Sequence, residues 1–141
     1  MKKYLRISLI YAVAAMCCGV FYREFTKYMG FTGVTALGRA HAHLFMLGMF
    51  IFLLIAVLSK SLSFETSKTF KLFMVIYNIG LSLTAVMFIV RGVLQVMETS
   101  LSKGLDASIS GIAGIGHICL GVGLVLLFVS LIGAVKEEPN E

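Results

Sequence analysis

The stretch GRAHAHLFMLGMFIFLLIAVL, residues 38–58, decides the fold of this chain. It is apolar over a length that crosses the roughly 30 Å hydrocarbon core of a bilayer as a helix. Its first turns nevertheless hold Arg39, His41 and His43. A charged side chain at the centre of a membrane helix costs about 2.5–3.5 kcal/mol on insertion scales, so such groups face protein or water and mark functional sites. The stretch therefore predicts a membrane helix whose histidines bind a ligand.

The composition of the whole chain is typical of a membrane protein. Of its 141 residues, 59% are hydrophobic and 13% are charged, whereas soluble domains carry about 25% charged residues. The net charge of +5 comes from basic residues that lie between apolar segments. That distribution is typical of topology signals and not of a nucleic-acid-binding surface. The composition predicts an integral membrane protein and excludes nucleic acid as its partner.

Four apolar segments are each long enough to span the bilayer. They cover residues 5–25, 37–58, 72–97 and 109–135. Basic residues before the first segment would also fit a signal peptide, but AAMCCG at residues 14–19 breaks the small-residue cleavage pattern, so we expect a retained helix. The sequence thus predicts one all-α domain, an up-down-up-down four-helix bundle with the lipid bilayer around it.

The loop lysines and arginines are biased toward one side of the membrane. In this topology seven lie on one side, Lys2, Lys3, Arg6, Lys60, Lys68, Lys71 and Lys136, and five on the other, Arg23, Lys27, Arg39, Arg91 and Lys103. Basic residues favour the cytoplasmic side. We therefore expect both termini in the cytoplasm and the chain in the bacterial cytoplasmic membrane.

This topology places all three histidines in the outer half of the bilayer. His43 and His117 lie at similar depths, since a helix rises 1.5 Å per residue. Residues two apart on a helix point about 200° apart, so His41 and His43 cannot both bind one small ion. We favour His43 as the inward ligand because it is deeper and Arg39 lies behind it, and His41 is the alternative.

The fourth helix, SGIAGIGHICLG at residues 110–121, carries its histidine on a face without large side chains. His117 shares that face with Gly114 and Gly121. Small residues let membrane helices pack closely, but the same gap would also admit a porphyrin whose iron takes an imidazole ligand. Gly111, Gly116 and Gly123 lie off this face, where they could receive a second copy, so we expect a homodimer.

Arg91 is the charged member of a polar stripe on the third helix. The stripe consists of Thr84, Phe88, Arg91, Gln95 and Glu98. Because Arg91 lies about two turns inside the helix end, it either snorkels outward or pairs with an anion. The candidate anions are Glu24, Glu98 and the carboxylates of a cofactor.

A short internal repeat relates the two helical hairpins. VFYR at residues 20–23 precedes HLFMLG at 43–48, and FIVR at 88–91 precedes HICLG at 117–121. In each hairpin an arginine ends the outward helix, and the return helix has a histidine followed by Gly48 or Gly121. Parallel repeats of this kind imply a pseudo-twofold axis along the membrane normal, which would direct His43 and His117 at one central ligand.

Through LIYAVAAMCCGVFYREFTKYMGFTG, HAHLFMLGMFIFLL, VRGVLQV and SGIAGIGHICLG, the chain resembles a small bacterial family of four-helix membrane proteins of unknown function. That resemblance covers nearly the whole chain and implies a fold but no activity. The pattern of a histidine, an apolar helix and a glycine is also similar to the haem-ligating helices of haem–copper oxidases and membrane cytochromes b, which implies a haem. The chain lacks the further histidines of an oxidase copper site, so this resemblance does not extend to oxygen reduction.

Three interpretations follow. The first is a haem b-binding protein that transfers electrons or senses a diatomic gas, with His43 and His117 as axial ligands and Arg39 or Arg91 near the propionates. The second is a copper or zinc site that uses His41 or His43 with His117 and with Met46 or Cys119, because soft ligands favour copper(I). The third is a non-catalytic membrane subunit or assembly partner.

The sequence contains no catalytic constellation such as serine–histidine–acid or a phosphate-binding loop. Any reaction would therefore be that of a cofactor, which would make an enzyme here a haem-dependent oxidoreductase. We expect a respiratory or redox protein as its partner.

We predict from the charge bias that a cysteine placed near Gly30, for example at Thr32, is labelled from outside the cell by a membrane-impermeant thiol reagent. A reporter fused after Glu141 is expected in the cytoplasm. The matched control is a cysteine at Ser63, in the same background with Cys17, Cys18 and Cys119 replaced by alanine, which should be labelled only after permeabilisation. The opposite labelling pattern would contradict the predicted orientation.

Overall fold

The computed structural model describes residues 1–136, which form four antiparallel helices and no strand. The helices are α1 (Lys2–Tyr28), α2 (Leu37–Leu58), α3 (Lys68–Val96) and α4 (Lys103–Lys136). All four are long and apolar enough to cross a membrane, so the predicted all-α, four-helix membrane fold is confirmed. The helices extend beyond the apolar segments at several ends because hydropathy detects only the part of a helix that lies in hydrocarbon.

The helices pack in an order that follows the chain. α2 lies between α1 and α3, and α4 packs along α3. The core is densest in the half near the N-terminus, where an aromatic cluster is fully buried: Phe52, Phe64, Phe70, Phe73 and Tyr77. Burying side chains of this size contributes about 1.5–3 kcal/mol each in water, and in the bilayer their tight packing fixes the helix positions. The three histidines lie on the side of this cluster that is away from the N-terminus.

α2 is wound as a π-helix over Leu44–Phe50, directly after the HAH motif. In this segment two backbone carbonyl groups accept side-chain hydrogen bonds: Tyr77 donates to Leu47 O at 2.8 Å and Ser8 donates to Met49 O at 2.8 Å. Gly48 lies against Tyr11 so closely that a Cβ there would fall 2.6 Å from the Tyr11 ring. These contacts from α1 and α3 hold the wider turn in place, and π-turns of this kind are frequent at functional sites.

The glycines of α4 divide into two groups. Gly116 and Gly123 face α3, where added Cβ atoms would meet Thr84 at 2.6 Å and Tyr77 at 2.8 Å. The interpretation of Gly116 and Gly123 as contacts for a second copy is therefore wrong, because these glycines bring α4 close to α3 within one chain. Among the described residues, and apart from the local backbone of α4 itself, no atom lies within 4 Å of a Cβ built at the remaining positions, Gly104, Gly111, Gly114, Gly121 and Gly133.

We predict that Gly80→Ala destabilises the α3–α4 pair. A Cβ at Gly80 would fall 2.8 Å from the backbone nitrogen of Leu120, and a backbone atom cannot move aside as a side chain can. The cost of such overpacking is about 1–3 kcal/mol, measurable as a lower midpoint of thermal unfolding in detergent. Gly133→Ala on the open face of α4 is the matched control and should leave the midpoint unchanged or raise it. Equal midpoints for the two variants would contradict this packing.

Candidate cofactor site

Two histidines from parallel helices meet in a cleft in the half of the bundle away from the N-terminus. The rings of His43 on α2 and His117 on α4 have centroids 6.1 Å apart and planes at 80°. Phe88 of α3 contacts both rings edge-on, with centroid distances of 4.7 Å to His43 and 5.7 Å to His117. The structure therefore brings together the two histidines that the sequence placed at one depth.

The same hydrogen bond fixes each of these rings. His43 Nδ1 lies 2.9 Å from the Arg39 carbonyl oxygen, and His117 Nδ1 lies 2.8 Å from the Ala113 carbonyl oxygen. A carbonyl can only accept, so Nδ1 is the donor in each contact, and in a neutral imidazole ring the other nitrogen, Nε2, is then the one with the lone pair. Neither Nε2 forms a hydrogen bond within residues 1–136. This is how proteins hold a histidine for metal binding, with one nitrogen anchored and the other available.

His41 lies on the opposite side of α2, against α1. Its ring is stacked beside Tyr22, with centroids 6.5 Å apart and planes at 14°, and it lies next to Gly19. Its Nδ1 is buried and has no hydrogen-bond partner in the part of the chain that the structure describes. The two-residue spacing of HAH thus separates the two rings as helix geometry requires, and His41 is not near His117.

The surface of α4 beside His117 is bare. His117 is exposed, and a Cβ added at Gly114 or Gly121, one turn before and one turn after it, would meet no described atom within 4 Å apart from the local backbone of α4. On the α2 side a shallow surface pocket is lined by His43, Met46 and neighbouring residues. His117 is therefore exposed on the surface of α4, and the pocket beside His43 is lined by α2 residues alone.

Arg91 pairs with Asp106, which is not among the anions expected from the sequence. Its guanidinium donates to Asp106 Oδ1 at 3.1 Å and to Ser110 Oγ at 2.7 Å, both on α4. Glu24 pairs instead with Arg23 at 3.7 Å, so the expectation of Glu24 or Glu98 as the partner is wrong. Asp106 was missed because it precedes the apolar segment at 109–135, although α4 already begins at Lys103. An acidic residue next to an apolar segment is a helix-start signal that could have identified it.

Arg39 and Arg91 both lie on the outward side of the cleft. Arg39 is exposed and lies one turn outward of His43 on α2, and Arg91 lies one turn outward of Phe88 on α3. The Arg91 side chain is 32% exposed, so it is within reach of an anion other than Asp106. Two arginines thus lie one helical turn from His43 and Phe88, on the side away from the N-terminus.

The described residues contain no group of three or more histidine, cysteine, aspartate or glutamate side chains that could hold a metal ion. Cys119 lies against Gly80 of α3 and so does not face the cleft, which removes it from the copper interpretation. Met46 remains beside His43. A metal ion in this cleft would be bound by the two histidines and by at most one thioether.

One of three comparisons with known proteins finds a match, and that match is to a protein family. A family model described as "Protein of unknown function (DUF2871)" matches residues 1–134. No curated protein and no solved structure matches the chain. The comparisons show no similarity to haem–copper oxidases or cytochromes b, so that resemblance concerns the histidine motifs alone.

Proposed function

We propose that this chain, which belongs to the DUF2871 family of proteins of unknown function, binds one haem b between His43 and His117 in the outer half of the membrane. The observation that carries the proposal is the anchored histidine pair, with each Nδ1 bonded to a backbone carbonyl and the rings 6.1 Å apart. Haem iron takes axial histidine ligands in many proteins. Bonds from a metal to an imidazole nitrogen are about 2.0–2.1 Å long in zinc sites. If a metal joined the two rings, the distance between their centroids would be two such bonds plus the distance from each centroid to its nitrogen. That sum is close to the 6.1 Å between the centroids of His43 and His117.

The surroundings of the pair support a macrocycle with carboxylate groups. Gly114 and Gly121 leave the side of α4 bare on both sides of His117, as a flat ring lying along a helix requires. Arg39 and Arg91 on the outward side would pair with propionates, since guanidinium binds carboxylate well. To bind a propionate, Arg91 would have to give up its ion pair with Asp106. The loss of this pair costs little free energy, because the Asp106 side chain is 54% exposed and exposed ion pairs contribute only about 0–1 kcal/mol.

Two axial histidines favour electron transfer over gas binding. With both positions of the iron filled, the haem supplies a one-electron couple, whereas a diatomic gas would have to displace one histidine first. Gas sensing is therefore the less favoured of the two roles. A haem-dependent oxidoreductase activity would depend on a partner protein that binds at the open edge of the cleft. That partner would be a respiratory or redox protein or a second copy of the chain. We place the protein in the bacterial cytoplasmic membrane with both termini in the cytoplasm, on the charge bias of its loops.

A bare copper or zinc ion is the second candidate. One observation favours it: Phe88 lies beside the midpoint of the histidine pair and not on it, so an ion fits there without displacing any side chain. Met46 next to His43 would favour copper(I), a soft ion. A purely structural role, as a membrane subunit or assembly partner, is the third candidate and would leave both Nε2 atoms unused.

The test is a series of histidine variants of the full-length chain, produced with ample haem and purified in detergent. His43→Ala and His117→Ala should each abolish the low-spin absorption spectrum, because each removes an axial ligand. His41→Ala should retain the spectrum because His41 faces α1, and Cys119→Ala is the matched control on α4. For His117→Gly, added imidazole should restore the low-spin spectrum by occupying the vacated ligand position.

Retention of the spectrum in His43→Ala or His117→Ala would refute this ligand assignment. A wild-type protein without haem that binds copper or zinc, with loss in the same two variants, would select the second candidate. A wild-type protein that binds neither haem nor metal would select the structural role.

A further inference from the structure

A pocket of about 390 Å³ lies at the end of the bundle away from the N-terminus, between the turn after α1 and the end of α3. Its walls are formed by residues 29–33 and 96–98. Two hydrogen bonds tie the loop before α2 to α3: Thr35 donates to Gly92 O at 3.0 Å, and Ala36 N donates to the Gln95 side chain at 2.8 Å. The two walls are therefore held in place, and the pocket is large enough for a small organic group.

α1 and α3 end at this pocket with the same backbone turn. Gly30 N donates to Lys27 O after α1, and Glu98 N donates to Gln95 O after α3; in each turn the next residue donates to the carbonyl five positions before it. Such a turn requires a left-handed residue, and φ is 63° at Gly30 and 50° at Glu98. Glycine adopts this conformation readily, whereas a residue with a side chain does so at a cost in free energy. Glu98 therefore stands where the turn itself favours glycine.

The groups that line the pocket favour a cation. Glu98 is the one charged residue among them, and it forms no ion pair within residues 1–136, not even with Lys27 in the last turn of α1. The backbone carbonyls of Met29 and Met97 accept no hydrogen bond in the same part of the chain. The negative ends of two parallel helix dipoles add to this potential, and the Phe31 ring in the wall also attracts cations.

The depth of the pocket indicates where such a cation comes from. α1 and α3 are both long and apolar enough to cross a membrane, so their ends lie at the level of the lipid headgroups. A primary ammonium group at that level has three N–H donors. These donors match a carboxylate together with unpaired carbonyl groups. A quaternary ammonium carries the same charge but has no N–H to donate.

We infer that this pocket binds the primary ammonium group of a phosphatidylethanolamine headgroup, with Glu98 as the carboxylate that recognises it. The strained backbone at Glu98 is then the cost of holding a carboxylate at this place, as strain often is at binding sites. The site is separate from the histidine pair and does not depend on a cofactor there.

The experiment adds phosphatidylethanolamine or phosphatidylcholine with the same acyl chains to the full-length protein in detergent and counts bound lipid by native mass spectrometry. The wild type should bind phosphatidylethanolamine tighter by on the order of tenfold, because only that headgroup forms charge-assisted hydrogen bonds. Glu98→Gln should lose this preference. Glu24→Gln is the matched control, because Glu24 lies at the same end of the bundle but pairs with Arg23, and it should bind as the wild type does.

Glu98→Gly separates recognition from a structural role. It should also lose the preference, but without added lipid it should unfold at a higher temperature than the wild type, because glycine adopts the required φ without strain. Retention of the preference in Glu98→Gly or Glu98→Gln would overturn the inference, as would equal binding of the two lipids, or of neither, by the wild type. If free ethanolamine binds the wild type as tightly as the lipid does, ammonium recognition is supported and a free amine replaces the lipid as the ligand.

Discussion

In hydrocarbon no water is available for hydrogen bonding, so a polar group of this chain that lacks a partner within the protein is costly. The backbone carbonyls in the π-helical part of α2 accept hydrogen bonds from Tyr77 and Ser8. The Arg91 guanidinium donates hydrogen bonds to Asp106 and Ser110. The same constraint anchors Nδ1 of His43 and His117 to carbonyl groups of their own helices, whereas neither Nε2 has a hydrogen-bond partner within residues 1–136.

Hydropathy predicted the fold correctly because the number and length of apolar segments determine how many helices span a bilayer. It missed the beginning of α4 at Lys103, since polar helical turns outside the hydrocarbon have no hydropathy signal, and with it the Arg91–Asp106 pair. The π-helical segment was not predictable from α2 alone, because it depends on hydroxyl groups of α1 and α3. The expectation that a second copy docks at Gly116 and Gly123 was wrong, since single-helix periodicity shows which residues share a face but not which face meets a neighbouring helix.

For the site, helix geometry alone separated His41 from His43, and similar depth alone paired His43 with His117. Both were available from sequence because they depend only on rise and rotation per residue. The ring orientation, the anchoring carbonyls and the contact of Phe88 with both rings required coordinates, because they depend on rotamers and on how close α2 and α4 come. Ligand binding at the pair remains a proposal, and its support is the shared anchoring of two rings that the chain brings to 6.1 Å.

The most direct test of that proposal is the electron paramagnetic resonance spectrum of the ferric wild-type protein, with haem counted per chain. Imidazole planes at 80° interact with different iron d orbitals and leave those orbitals nearly equal in energy. We therefore predict one haem per chain and the strongly anisotropic low-spin signal of perpendicular axial histidines. A high-spin signal, the rhombic signal of parallel rings, or a protein without haem would contradict it.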